Sequence, residues 1–200
     1  MAQFDVLIPF VLHFEVGLQP EYLTGTPEQM FARARQRPKA YAVLKGDKGG
    51  PTMCGVTIGT YTRYRRLKGH ATTTVDDLKA ISYTEWRDIY KDMFWNRWHG
   101  DDIRDQSVAN MLVDFTWHSG ANGIKVPQRV LGVKADGVVG PRTLAAVNTA
   151  DPRDLFGRLK TARLDYLDGI IRSNPSQARF RTGWHNRVNS IVYGGFVYSD

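Results

Sequence analysis

The sequence predicts a mainly helical, all-α protein, and three observations carry that expectation. Apolar residues recur at three- and four-residue steps through most of the chain, and helix-start signals precede those runs. No strand–helix–strand unit of about 30 residues occurs. One short hairpin near residues 41–58 is the exception allowed. With 200 residues, 42% hydrophobic and 12% aromatic, the chain is large and apolar enough to bury a proper core.

The elements follow in order. In the first run Phe4, Leu7, Ile8, Val11 and Phe14 keep helical spacing, with Asp5 placed as an N-cap. Pro9 must fall in the first turn or kink the helix. Thr26–Gln29 (TPEQ) reads as a capping box with Pro27 at the first helical position, and Pro38 bounds the segment that follows. Ser82–Glu85 (SYTE) opens a helix carrying Trp86, Ile89, Tyr90, Met93 and Phe94. Val108, Met111, Leu112 and Phe115 mark another that ends near Gly120. Asp151 caps a long helix with Leu155, Leu159, Tyr166, Leu167, Ile170 and Ile171 as its buried positions. Two loops stand out: KGDKGGPTMCG (45–55), with four glycines, and ADGVVGPRT (135–143), a turn leading into a Pro-started helix.

Composition narrows the function. The longest apolar runs are broken by Asp5, Pro9, His13 and Glu15, so no membrane span is expected. No signal peptide is read at the N-terminus, which suggests a protein that is cytoplasmic until released. Cys54, the single cysteine, leaves no internal disulfide and serves as a nucleophile or, more often for this residue type, as a buried side chain. The five histidines show no ligand spacing, so neither metal nor cofactor is expected. A formal charge of +7 favours a polyanionic partner: nucleic acid, an anionic membrane or a cell wall. No basic stripe with interleaved aromatics supports the first of these. A monomer is expected.

Candidate chemistry starts at Glu15, a lone acid at the end of the first apolar helix. Desolvation disfavours an ionised carboxyl, which suits such a group to act as a general acid, and Gly17 allows a sharp turn that leaves it facing a cleft. The bland reading is a helix-terminal Glu pointing into solvent. The glycine loop adds Asp47 as a second carboxylate and Thr52 as a hydroxyl, with Gly49 and Gly50 permitting a ligand-facing turn. A sugar hydrolase needs an acid and a second carboxylate or positioned water across the scissile bond. Trp95, Trp98 and Trp117 are candidate sugar platforms, with Trp86, Tyr90 and Phe94 assigned to the core. Asp114 and His118, four apart on one helix face, bond either sugar groups or each other, the structural pairing being favoured.

The order of Glu15–Val16–Gly17, then Asp47 to Thr57 (D-x-G-G-x-T-x-x-G-V-T), is similar to glycoside hydrolase family 108, the endolysin and secretion-activator muramidases. The likeness continues through Tyr90–Trp98, Val113–Gly120 and Gly183–Val188. Val130–Asn148 resembles the family's predicted peptidoglycan-binding segment. The resemblance implies a lysozyme-like fold cleaving the β-1,4 bond between N-acetylmuramic acid and N-acetylglucosamine. It places a catalytic lobe at 1–105 and a helical lobe at 106–200, packed as one compact unit. Glu15 carries over as the catalytic acid, with Asp47 and Thr52 positioning water. Gly49, Gly50, Thr57, Trp95, Asp114, Trp117 and His118 are then expected to meet the substrate, and peptidoglycan is the expected partner. Departures from the family pattern are Val16, Leu18, His118 and an inserted helix around 27–36. The same Glu would also serve a lytic transglycosylase, and a non-catalytic wall-binding or secretion-assisting module is the alternative from another class.

Overall fold

Pro9 and Gly17 set the limits of the first helix. The computed structural model describes residues 1–43 and 50–198, and 67% of these are helical. A 3₁₀ turn at Phe4–Leu7 leads into α1 (Ile8–Val16), with Pro9 in the first turn, where its missing N–H costs nothing. Asp5 is therefore not a cap: the preceding turn occupies the cap position, and its carboxylate instead accepts from Arg87 Nη2 at 3.0 Å. α1 ends where Gly17 turns left-handed (φ 66°) and donates to the His13 carbonyl at 2.8 Å. Ile8, Phe10, Val11, Leu12 and Val16 of α1 are buried and its other residues half-buried, as expected for a helix packed on most sides.

The chain forms two compact units, Asp5–Met93 and Met1–Phe4 with Phe94–Asp200. In the first, α2 (Pro27–Ala34) starts on the Thr26–Gln29 capping box and buries Met30, Phe31 and Ala34. Three two-residue strands follow, β1 (Tyr41–Ala42), β2 (Thr52–Met53) and β3 (Val56–Thr57), in an antiparallel sheet of that order. Tyr41 opposes Met53, and Met53 opposes Val56. Cys54 (φ 46°) and Gly55 (φ 82°) form the β2–β3 turn, the pair of positive φ values that a two-residue type I′ hairpin requires. α3 (Ile58–Leu67), α4 (Val75–Lys79) and α5 (Tyr83–Tyr90) are capped by Thr57, Thr74 and Ser82 in turn. Phe31, Trp86 and Tyr90 pack as tilted rings through the core, with centroids 5.2 and 5.0 Å apart. Past α5 the chain continues as a π-helical turn at Lys91–Trp95.

The second unit is built around α6 (Gln106–Ser119), buried at every residue from Ser107 to Thr116. Trp98 is fully buried against it, donating from Nε1 to the Thr116 hydroxyl at 2.7 Å. α7 (Asn122–Val130) comes so close that a methyl on Gly123 would lie 2.4 Å from the Thr116 Cα. The 135–140 loop is tied by buried Gln128, whose amide donates to the Val138 carbonyl (2.9 Å) and accepts from the Gly137 N–H (2.9 Å). α8 (Pro141–Thr149) then starts at its proline as expected. α9 (Pro152–Ser173) is capped by Asp151, and its buried stripe runs through Leu155, Leu159, Arg163 and Leu167. An arginine thus occupies a core position, while Tyr166, Ile170 and Ile171 are only half-buried. α10 (Arg181–Ser190) and a hairpin of β4 (Ile191–Val192) and β5 (Gly195–Phe196) complete the unit. No helix among the described residues is long and apolar enough to cross a membrane.

Candidate functional site

Glu15 sits one residue before the end of α1, half-buried, just ahead of the left-handed Gly17. Its carboxyl rests on the turn of the β2–β3 hairpin. A methyl added to Gly55 would lie 2.6 Å from Glu15 Oε2 and 2.8 Å from its Cδ, so only glycine lets the backbone and the carboxyl meet. That turn is pinned on both sides. The Cys54 N–H donates to the Ala40 carbonyl at 2.7 Å, and Trp86 Nε1 donates to the Cys54 carbonyl at 2.9 Å. The carboxyl's seat is therefore fixed from α2's C-terminal extension and from α5.

The Cys54 thiol is fully buried, and burial pushes its pKa up to about 12, with Arg35 opposing and Glu15 adding to the rise. A thiol held neutral is no nucleophile, so Cys54 is a core side chain. Thr52 lies on β2 of the same hairpin, half-buried, with its hydroxyl donating to the Gly50 carbonyl at 3.3 Å. Gly50 has a φ of +69°, consistent with the turn expected of it, and lies against the Ile58 side chain. The Thr57 hydroxyl is engaged as the α3 cap, accepting from the Thr60 N–H at 3.2 Å. Asp47 and Gly49 fall outside the described residues.

The remaining candidates belong to the second unit. Trp95 is fully buried, its indole N–H donating to Asp101 at 2.9 Å and its ring edge-on to Phe4. It has no face for a sugar and is a core residue, a correction to the expectation. Asp114 is also corrected. Its carboxylate lies fully buried between two guanidiniums, Arg163 Nη2 and Arg187 Nη2, each 2.7 Å away. Burial alone would raise the Asp114 pKa, but Arg187 and Arg163 outweigh it and hold the carboxyl well below the usual range. Trp117 is half-buried with its ring edge-on to Phe94 at 4.7 Å, and His118 is exposed. Among the described residues no group of three or more His, Cys, Asp or Glu is placed to hold a metal ion.

Three residues were not singled out from the sequence: Gly55 in the seat, and Arg163 and Arg187 in the buried triad; Trp86, assigned to the core, is buried there and also braces the turn. A signal existed for Gly55, since a Cys-Gly pair between two β-prone dipeptides suits a type I′ turn. For the arginines, the stripe at 155, 159 and 167 left position 163 as the only hint.

Residues 40–120 match the family model described as Glycosyl hydrolase 108, and residues 122–189 match the one described as Predicted Peptidoglycan domain. The solved "Structure of Brucella abortus SagA" shares 34% sequence identity, covers 76% of this chain and 83% of its own, and superposes with a TM-score of 0.65. Comparison with curated protein sequences returns no match. The helical fold and the two matched segments define a glycoside hydrolase that acts on peptidoglycan. The chain belongs to the glycosyl hydrolase 108 family. The matched hydrolase segment begins at residue 40, so the helix bearing Glu15 precedes it and joins it through the Gly55 contact.

Proposed function

We propose that this enzyme hydrolyses the β-1,4 bond between N-acetylmuramic acid and N-acetylglucosamine, with Glu15 as the general acid. One observation carries the reading: the Glu15 carboxyl is seated on a pinned hairpin turn inside the hydrolase segment. A half-buried carboxyl at a helix end, seated against the Gly55 backbone, is held in a fixed direction. It gives its proton to the glycosidic oxygen, which leaves with the departing sugar as the bond breaks, while positive charge grows on the anomeric carbon of the sugar that stays behind. Water then adds to that carbon. Thr52, on the strand leading into the turn, and Asp47 orient that water.

Clearing of purified sacculi by the native enzyme and by Glu15→Gln tests the assignment. The variant is expected to lose at least about 10²-fold in rate, the lower end of what a general acid contributes, while still pelleting with the wall. Equal clearing by both proteins removes Glu15 from the mechanism. Mass spectrometry of the released fragments should show reducing ends, whereas anhydro ends would replace hydrolysis by a transglycosylase reaction.

A further inference from the structure

We propose that the outer face of α3 binds the stem-peptide carboxylates of the peptidoglycan strand. The proposal rests on peptidoglycan being the substrate. α3 leaves directly from β3, the strand that follows the Glu15 seat. Ile58, Gly59, Thr62, Arg63, Arg66 and Leu67 line a shallow groove of about 430 Å³ along it. Arg63 and Arg66 are exposed and three residues apart, so they project from one side of the helix.

What distinguishes these two cations is that they lack carboxylate partners among the described residues. Their neighbours have them: Arg65 pairs with Asp77 at 2.9 Å, and Lys68 lies 3.8 Å from Asp88. A helix that pairs two of its basic side chains and leaves two without a carboxylate among the described residues, beside a groove, presents a ready anion site. Guanidinium suits it, because its fork matches a carboxylate with two parallel hydrogen bonds. The groove also has apolar walls in Ile58 and in Leu67, which is 74% exposed. A peptide hanging from the muramic lactyl group offers both parts, methyl and methylene groups for those walls and free carboxylates for the arginines. A phosphate polymer offers charge alone and leaves the apolar walls wet.

The test measures binding of the intact Glu15→Gln protein, which does not consume its ligand, to glycan strands that keep their stem peptides and to strands stripped by an amidase. Adding Arg63→Gln with Arg66→Gln should weaken binding to peptide-bearing strands roughly fivefold, the size expected of two exposed charge pairs, and leave the stripped strands unaffected. Equal weakening on both strands, or none on either, overturns the proposal. A third arm uses strands with and without attached phosphate polymers. A loss that follows the phosphate polymer rather than the peptide also overturns it. Cleavage by the native chain is scored separately, so an inactive protein that still tells the two strands apart would sink the muramidase reading and not this one. Unchanged melting of the double variant shows that the fold is intact.

Discussion

Gly55 is the residue on which the geometry of the acid turns. Alanine there meets two penalties: a φ of +82° that a side chain adopts only under strain, and a methyl 2.6 Å from the Glu15 carboxylate oxygen. The first costs about 1–2 kcal/mol of stability. The second displaces Glu15, because a side chain gives way more readily than a pinned turn. Misplacing a reacting group by about 1 Å can cost 10²-fold, so Gly55→Ala should drop kcat by roughly that factor with little change in KM. Gly69→Ala is the control. Its φ of +89° carries similar strain, yet nothing stands within 4 Å of the added methyl. It should lower the melting temperature like Gly55→Ala and leave sacculus clearing at the native rate. If both variants clear at that rate, the Gly55 contact does not hold Glu15 for catalysis. Glu15 was legible in the sequence as an acid where an apolar helix stops. Its seat was not, because that contact joins residues 40 positions apart.

Local chemistry explains which elements could be read from the sequence. Thr26, Ser82 and Asp151 announce their helices because each cap completes its hydrogen bond within three residues. Asp5 looked like such a cap and is not, since its partner is Arg87, far along the chain. Arg163 broke an otherwise apolar stripe for the same kind of reason. Its partner Asp114 stands on α6, and Arg187 reaches the same carboxylate from α10, so one buried anion ties three helices. Asp114→Ala would leave two buried guanidiniums without their counter-charge and should destabilise by roughly 3–5 kcal/mol. The native carboxyl titrates well below its unfolded value of about 3.9. Its contribution is thus fully present above that pH and is lost as pH falls toward the depressed folded value. Urea unfolding should show the gap between native and variant narrowing below pH of about 4. A gap that stays constant to low pH would mean that the ion pairs do not set it.

At the scale of the whole molecule the +7 charge meets an anionic polymer, and composition alone left open whether that polymer was nucleic acid, membrane or wall. The match of residues 122–189 to a peptidoglycan domain decides in favour of the wall. Charge and catalysis then separate by range. Attraction between a basic protein and a polyanion acts over the screening length, which shrinks from about 30 Å at 0.01 M salt to about 8 Å at 0.15 M. The proton transfer proposed for Glu15 would act over a single hydrogen bond and feel little of that change. Raising salt across this range should therefore raise the wall concentration needed for half-maximal clearing and leave the maximal rate nearly constant. Arg63→Gln with Arg66→Gln should show a shallower salt dependence, since two exposed cations are gone. Turbidity clearing at a series of salt and wall concentrations separates the two parameters. A maximal rate that falls with salt while half-saturation stays fixed would place the charge in the chemical step, and the division between a steering surface and a local acid would fail.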